Sequence, residues 1–288
     1  MISNLQRGIA SSLREQLHHR GYFFTDLHVP SQRWFTDLYA LFERLLEELD
    51  RDSGASSRFN KLCIDFSQNQ KEKWNCIPFG IKDRTTRQDK HEKIYFQWSF
   101  EFGEELRKHD LHLPSIEAIH QKFQVLNDLI QACAQSNMTD LFPTTFQPQT
   151  PTFPIVFKMV KYLPRGNRWA TNPHCDKSIL SWVLDSNDDK CTFLVAPHSL
   201  NIQLSHLQNP MNWLPDSQVQ SKPAVAFPGL MAEGYEPPLL ASPHAVLPVS
   251  ANKVRYSCIA FLIQPNIGTF DEMTDVPYHN DLKMEVTN

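Results

Sequence analysis

The sequence predicts an α+β protein, mainly β, in which a helical N-terminal part packs against an antiparallel sandwich or jelly-roll core. Three observations carry this. Apolar residues recur at three- and four-residue steps through the first part of the chain. Pro143, Pro148, Pro151 and Pro154 then exclude a helix over 142–154. From Ile155 onward the chain breaks into short runs rich in β-branched and aromatic residues, separated by turn residues.

The elements follow in order. Ile2, Leu5, Ile9, Leu13 and Leu17 form one stripe, so residues 2–20 read as an amphipathic helix, with Gly21 at its C-terminal cap. Tyr22–Leu27 reads as a short strand. Ser31 can cap a second helix that buries Trp34, Phe35, Leu38, Leu41, Phe42, Leu45, Leu46 and Leu49. Residues 51–58, RDSGASSR, read as a polar loop, and EKWNCIPFGIKDRTTRQDKHEK as an irregular stretch, either a lid or a surface loop. A third helix is expected over 115–135, carrying Ile119, Phe123, Leu126, Ile130 and Cys133. The expected strands are IVFKMVKYL, SILSWVL, CTFLVA, AVAF, HAVLPV and VRYSCIAFLI.

Composition narrows the function. The chain has 288 residues, of which 41% are apolar and 21% charged, the balance of an ordinary globular protein. A net charge of −4 gives no basic signature for nucleic acid or anionic membrane. No apolar run is long enough to cross a bilayer, and MISNLQRGIASSL lacks the apolar stretch of a signal peptide, so a cytoplasmic protein is expected. Its six cysteines form no CxxC pair and read as free thiols.

His174-Cys175-Asp176 is the leading chemical motif. In extended chain, residues i and i+2 face the same side, so both side chains can reach one ion. A chain with 12 histidines is expected to hold such a tripeptide by accident, and His279-Asn280-Asp281 is a second match. Order separates the two. The first match lies between two strand-like runs and His244 opens a later one, whereas the second lies in a polar tail with no histidine after it. Two histidines and one carboxylate occupy one face of an octahedral ion and leave positions open for small ligands, the facial arrangement of non-haem Fe(II) oxygenases.

Arg255-Tyr256-Ser257 opens the most apolar strand. Arg255 and Ser257 share one face, and Tyr256 points the other way. A guanidinium on an apolar strand needs an anion; it can grip a carboxylate through two parallel hydrogen bonds, to which a serine adds a third. An internal salt bridge would satisfy the same arginine, and Arg51-Asp52-Ser53 shows that the tripeptide alone is cheap. Three other readings stand beside the oxygenase: a 2-oxoglutarate-independent Fe(II) oxidase whose Arg255 and Ser257 hold a substrate carboxylate, a zinc hydrolase, and a non-catalytic binding protein. His18, His19, His198 and His206 read as surface or core residues, and Trp74, Trp98 and Phe100 as core more than substrate pocket.

With these residues in that order, the sequence resembles the Fe(II)/2-oxoglutarate dioxygenases of the isopenicillin N synthase-like superfamily. The resemblance is strongest over 158–266, in KYLPRGNRWATNPHCDKSILSWVL and PGLMAEGYEPPLLASPHAVLPVSANKVRYSCIAFLIQPN, and extends to LREQLHHRGYFFTDLHVP. It implies a double-stranded β-helix over 150–266, an N-terminal region over 1–140 packed on it, and a tail over 267–288. It also implies Fe(II) on His174, Asp176 and His244, 2-oxoglutarate held by Arg255 and Ser257, and consumption of O2. The activity implied is oxidation of a C–H bond in a small molecule, with release of succinate and CO2. Two departures stand out. Leu163, not a tyrosine, precedes Pro164, which puts Tyr162 on the opposite strand face and outside the site. Leu230 replaces the acid that commonly follows the glycine turn.

Overall fold

A computed structural model describes residues 12–25, 27–71, 73–74, 77–83, 93–145, 153–164, 170–187, 193–196, 224–247 and 253–263. Helix α1 spans Leu13–Arg20 and is closed at its start by a reciprocal capping box between Ser12 and Glu15. Its C-cap, Gly21, takes φ 77° and donates its N–H to the Leu17 carbonyl, a conformation that favours glycine. The first half of the expected 2–20 helix lies outside the described residues. Strand β1 is only Phe23–Phe24.

Helix α2, Gln32–Arg51, begins after Ser31 as expected and buries Phe35, Leu38, Tyr39, Phe42 and Leu45. Each fully buried side chain of this size contributes about 1.5–3 kcal/mol before the entropy of ordering is counted. The expected polar loop at 51–58 is instead the start of α3, Ser53–Asn69. Asp52 accepts the Ala55 N–H at 2.9 Å, and Ala55, Phe59, Cys63 and Phe66 face the core. The polar face of this first turn hid an N-cap followed by a one-sided apolar stripe.

Two strands arise where the sequence suggested irregular chain: β2 over Gly80–Asp83 and β3 over Lys93–Trp98. Helix α4, Phe100–Arg107, follows, and then the long α5, Pro114–Leu141, with proline in its first turn where its missing N–H costs nothing. The core strands are β4 (Ile155–Tyr162), β5 (Thr171–His174), β6 (Leu180–Ser186), β7 (Phe193–Val195), β8 (Val225–Pro228), β9 (His244–Val246) and β10 (Arg255–Leu262). Apart from β5, each falls on a run expected to be extended.

All described pairings are antiparallel. They form a seven-stranded sheet, β1-β8-β6-β10-β4-β3-β2, and a three-stranded sheet, β5-β9-β7. The larger sheet thus takes three strands from the N-terminal part of the chain. The sheets face one another. Val246 packs among Tyr95, Val160 and Tyr162, and Val195 among Tyr22, Val225 and Phe227. The helices cover the outer face of the larger sheet: Tyr39 stacks on Tyr256 at 5.0 Å, and Glu43 accepts from Tyr256 at 2.7 Å and Lys161 at 2.6 Å. Trp74 and Trp98 pack in the core cluster, the environment expected of them. Among the described residues no helix is long and apolar enough to cross a membrane. Cys63, Cys133, Cys175 and Cys258 are free thiols.

Candidate metal centre

His174 ends β5 and His244 begins β9, and the two are direct cross-strand partners. This register brings the imidazoles together, with ring centroids 4.3 Å apart. Asp176 follows β5 by two residues and reaches back between them. Its Oδ1 lies 3.4 Å from His174 Nε2 and its Oδ2 lies 3.5 Å from His244 Nε2. One donor atom from each of the three residues falls within 4.8 Å of the others. Among the described residues this is the sole group of three or more His, Cys, Asp or Glu side chains with that closeness. His279-Asn280-Asp281 and His198 and His206 lie outside the described residues.

Neighbouring groups orient these donors. His244 Nδ1 is 3.1 Å from the Ser242 carbonyl, which only accepts. The proton therefore belongs on Nδ1, and the Nε2 lone pair is left for an ion. Ser181 donates to Asp176 Oδ2 at 2.7 Å, and Ser178 bonds the Ser181 hydroxyl at 2.8 Å. Burial by itself would push the Asp176 carboxyl up, but the charge of His244 beside it and hydrogen bonds from both histidines, which these rings make when protonated and give up when their Nε2 lone pairs take an ion, hold it well below the usual carboxylate range. The carboxylate is thus ionised at neutral pH, the form a cation needs. Behind the loop, Leu230 donates to the Asp176 carbonyl at 2.8 Å and Met231 to the Ser178 carbonyl at 3.0 Å. A Cβ at Gly229 would stand 2.4 Å from the Ser178 carbonyl oxygen and 2.5 Å from that of Asp176, so only glycine fits there.

Across the gap between the sheets, Arg255 and Ser257 line the same cavity as the three donors. Arg255 is 3% exposed. Its Nε donates to Ser186 Oγ at 3.0 Å and its other arm reaches Ser257 Oγ at 3.4 Å, so two hydroxyls fix the plane of the guanidinium. Tyr162 lies beneath it, with its ring centroid 5.1 Å from the guanidinium carbon. This corrects the expectation for Tyr162. Strand β4 ends at that residue, and Tyr162 pairs directly with Arg255, so both share the cavity face. Counting back from Pro164 ran through chain that is no longer strand. The cavity holds about 70 Å³, where one water needs roughly 10–15 Å³. There is room for more than an ion.

The structure therefore brings together all five residues expected from sequence, His174, Asp176, His244, Arg255 and Ser257, and adds Ser181, Ser186, Tyr162, Lys93 and Lys158 to the cavity or its supports. Strand alternation counted outward from Arg255 and across its neighbours would have found Tyr162 and Lys158. Lys93 needed the unexpected β3, and the serines carry no sequence signal of their own.

Ser181 gives a first test. Outer hydrogen bonds to a metal's ligands are worth about 10–100-fold in affinity. Ser181→Ala is expected to weaken divalent-metal binding on that scale, as read by competition with a chromophoric chelator. Unchanged affinity would mean that the Asp176 orientation is set by its backbone alone.

No protein-family model matches the sequence, and no curated protein matches it. Solved structures do match. The dioxygenase for auxin oxidation of rice superposes with a TM-score of 0.56 at 17% identity, covering 92% of this chain and 82% of that one. The chain has the fold of that oxygenase. A protein of Caulobacter crescentus assigned to the 2OG-Fe(II) oxygenase family gives 0.55 at 16% identity, over 92% of this chain and 86% of the other. A full-length Neurospora crassa protein, solved in complex with α-ketoglutarate, gives 0.50 at 12% identity, over 95% and 84%. The shared fold covers at least nine-tenths of this chain in each of the three.

Proposed function

We propose that the chain is a non-haem Fe(II), 2-oxoglutarate-dependent oxygenase that oxidises a C–H bond of a small-molecule substrate. One observation carries this: a carboxylate and two imidazoles converge on one cavity wall, and a buried, hydroxyl-braced arginine faces them from the other. His174, Asp176 and His244 would hold the iron as one face of its coordination shell. The donor set fits, because one carboxylate and two neutral imidazoles suit Fe(II) and leave positions open for small ligands. When bound, the Fe(II) couples cleavage of 2-oxoglutarate by O2, to succinate and CO2, to oxidation of the substrate.

The remaining roles belong to side chains of the chain itself. Arg255 and Ser257 take the distal carboxylate of 2-oxoglutarate, and the Tyr162 ring and Ser186 keep the guanidinium aimed into the cavity. Phe193 and Phe227, with ring centroids 5.6 and 4.6 Å from that of His244, exclude bulk water from the metal side. The facing sheets are read as a double-stranded β-helix over 150–266, with residues 1–140 packed on it and adding strands to its larger sheet. The free thiols and the need for reduced iron suit the cytoplasm.

Anaerobic addition of Fe(II) and then 2-oxoglutarate tests the reading. A weak visible charge-transfer band is expected, and on admitting O2, succinate should form as 2-oxoglutarate is consumed. A band-free protein that consumes O2 only with another carboxylate would replace this function by a 2-oxoglutarate-independent oxidase.

A further inference from the structure

Ser242 is fully buried, and its polar atoms reach three separate parts of the fold. Its N–H donates to the Pro228 carbonyl, at the end of β8, at 2.9 Å. Its hydroxyl donates to the Gly21 carbonyl at 2.6 Å. Its own carbonyl faces His244 Nδ1 at 3.1 Å. Pro243 follows and disfavours helical backbone at Ser242, so the carbonyl has little freedom once its residue is anchored. Gly21 is the C-cap of α1 and meets this region twice. Besides accepting from Ser242, it lies against Ala196, where a Cβ on Gly21 would stand 2.1 Å from the carbonyl oxygen. Ala196 in turn donates to the Pro243 carbonyl at 2.9 Å and follows Val195, the cross-strand partner of His244. The other end of α1 is tied down as well. Arg14 donates to the Leu141 carbonyl at 2.6 Å and to the Pro237 carbonyl at 3.0 Å, which joins the helix to the end of α5 and to the segment that leads to Ser242.

The path from α1 to a metal donor is therefore short. Arg14 and Gly21 hold the helix on the 237–243 segment, the Ser242 hydroxyl passes that position to its carbonyl, and the carbonyl faces the ring of His244. Backbone pairing with β7 fixes where His244 leaves the sheet, not how its imidazole is turned. The turn of the ring is what aims Nε2 at an ion, and a hydrogen bond to Nδ1 sets it. We infer that Ser242 is a positioning residue for the metal centre, and that docking of α1 through it is a condition for tight metal binding. The inference rests on the metal centre proposed above, on His174, Asp176 and His244, and not on the identity of the cosubstrate. By reciprocity, a docked α1 that raises metal affinity is itself held docked by the metal, to the same factor, although α1 supplies none of the three donors.

The test joins Fe(II) affinity to amide hydrogen exchange, both on the anaerobic full chain. In the wild-type protein, saturating Fe(II) is expected to slow exchange in α1 by about three- to tenfold, the worth of one buried hydrogen bond. Ser242→Ala should weaken Fe(II) binding by a similar factor and remove the metal-dependent slowing in α1, while Fe(II) still protects the amides of β9. Arg14→Met, which releases the other end of α1, should also weaken Fe(II) binding. In the double variant the two losses should not add, because the Ser242 bond is the route by which α1 acts. If Ser242→Ala does not fold, Arg14→Met decides, by its Fe(II) affinity and by loss of the slowing in α1. A structural role alone would lower the unfolding temperature of the variants and leave their Fe(II) affinity at the wild-type value, which would overturn the inference. So would additive losses, or metal-dependent slowing in α1 that persists in Ser242→Ala. If the wild-type protein binds no Fe(II), the metal centre and this inference fall together. If it binds Fe(II) but gives no charge-transfer band with 2-oxoglutarate, the oxygenase reading fails separately, and the same measurements still decide the role of Ser242.

Discussion

Fe(II) affinity is expected to fall by more than about a hundredfold in His244→Ala and in Asp176→Ala, because a lost ligand costs more than the 10–100-fold typical of its supporting hydrogen bonds. Asp176 lies within 3.5 Å of both imidazoles, so its removal takes away a donor and the charge that keeps the other two facing the ion. His244 is 4% exposed, and its replacement also opens a space that water can enter. Anaerobic titration with Fe(II), with metal content measured after buffer exchange, gives the result; the wild-type protein should retain one iron per chain. Thermal unfolding of the metal-free variants separates lost ligation from lost fold. Wild-type iron affinity in either variant would remove the assignment of the three residues.

Arg255→Ala should weaken 2-oxoglutarate binding by at least about a hundredfold while leaving iron affinity nearly untouched. Charge-assisted hydrogen bonds contribute about 1.5–3 kcal/mol each, and a decade of affinity corresponds to about 1.4 kcal/mol. Two such bonds from a buried fork therefore exceed two decades. Arg255→Lys keeps the charge but loses the planar geometry that Ser186 and Ser257 fix, so it should rescue only in part. Ser257→Ala should cost about 1 kcal/mol, one neutral hydrogen bond. Each value comes from the midpoint of the charge-transfer band in an anaerobic titration. An unchanged midpoint in Arg255→Ala would show that another cation, with Lys93 the nearest candidate beside Tyr162, holds the distal carboxylate.

The sequence made the centre legible because its residues sit on short, strongly patterned strands. HAVLPV and VRYSCIAFLI could hardly be anything but extended, and alternation within them places His244, Arg255 and Ser257 without knowledge of the rest. The N-terminal part was less legible. Asp52 caps a helix whose first turn is polar, so apolar spacing became visible only from Ala55 onward. Strand β3, KIYFQW, has its inward and outward faces both covered, by the cavity and by the helices, and so lacks a clean alternation. Tyr162 failed for a different reason: parity along a strand holds only inside the strand, and β4 stops one residue before Leu163. Lys93 and Lys158 owe their placement to cross-strand register, which no single segment encodes.

Gly229 touches no ion and would appear in no list of ligands, yet it limits what the centre can become. The carbonyl oxygens of Asp176 and Ser178 occupy the volume where its side chain would be. The 229–231 turn and the metal-bearing loop are thus fitted as a mould and its cast. Even a methyl group at 229 must push the loop that carries Asp176 toward the imidazoles or away from Ser181. Metal occupancy is therefore hostage to a position on the far side of the loop, and iron can be lost with every coordinating side chain intact.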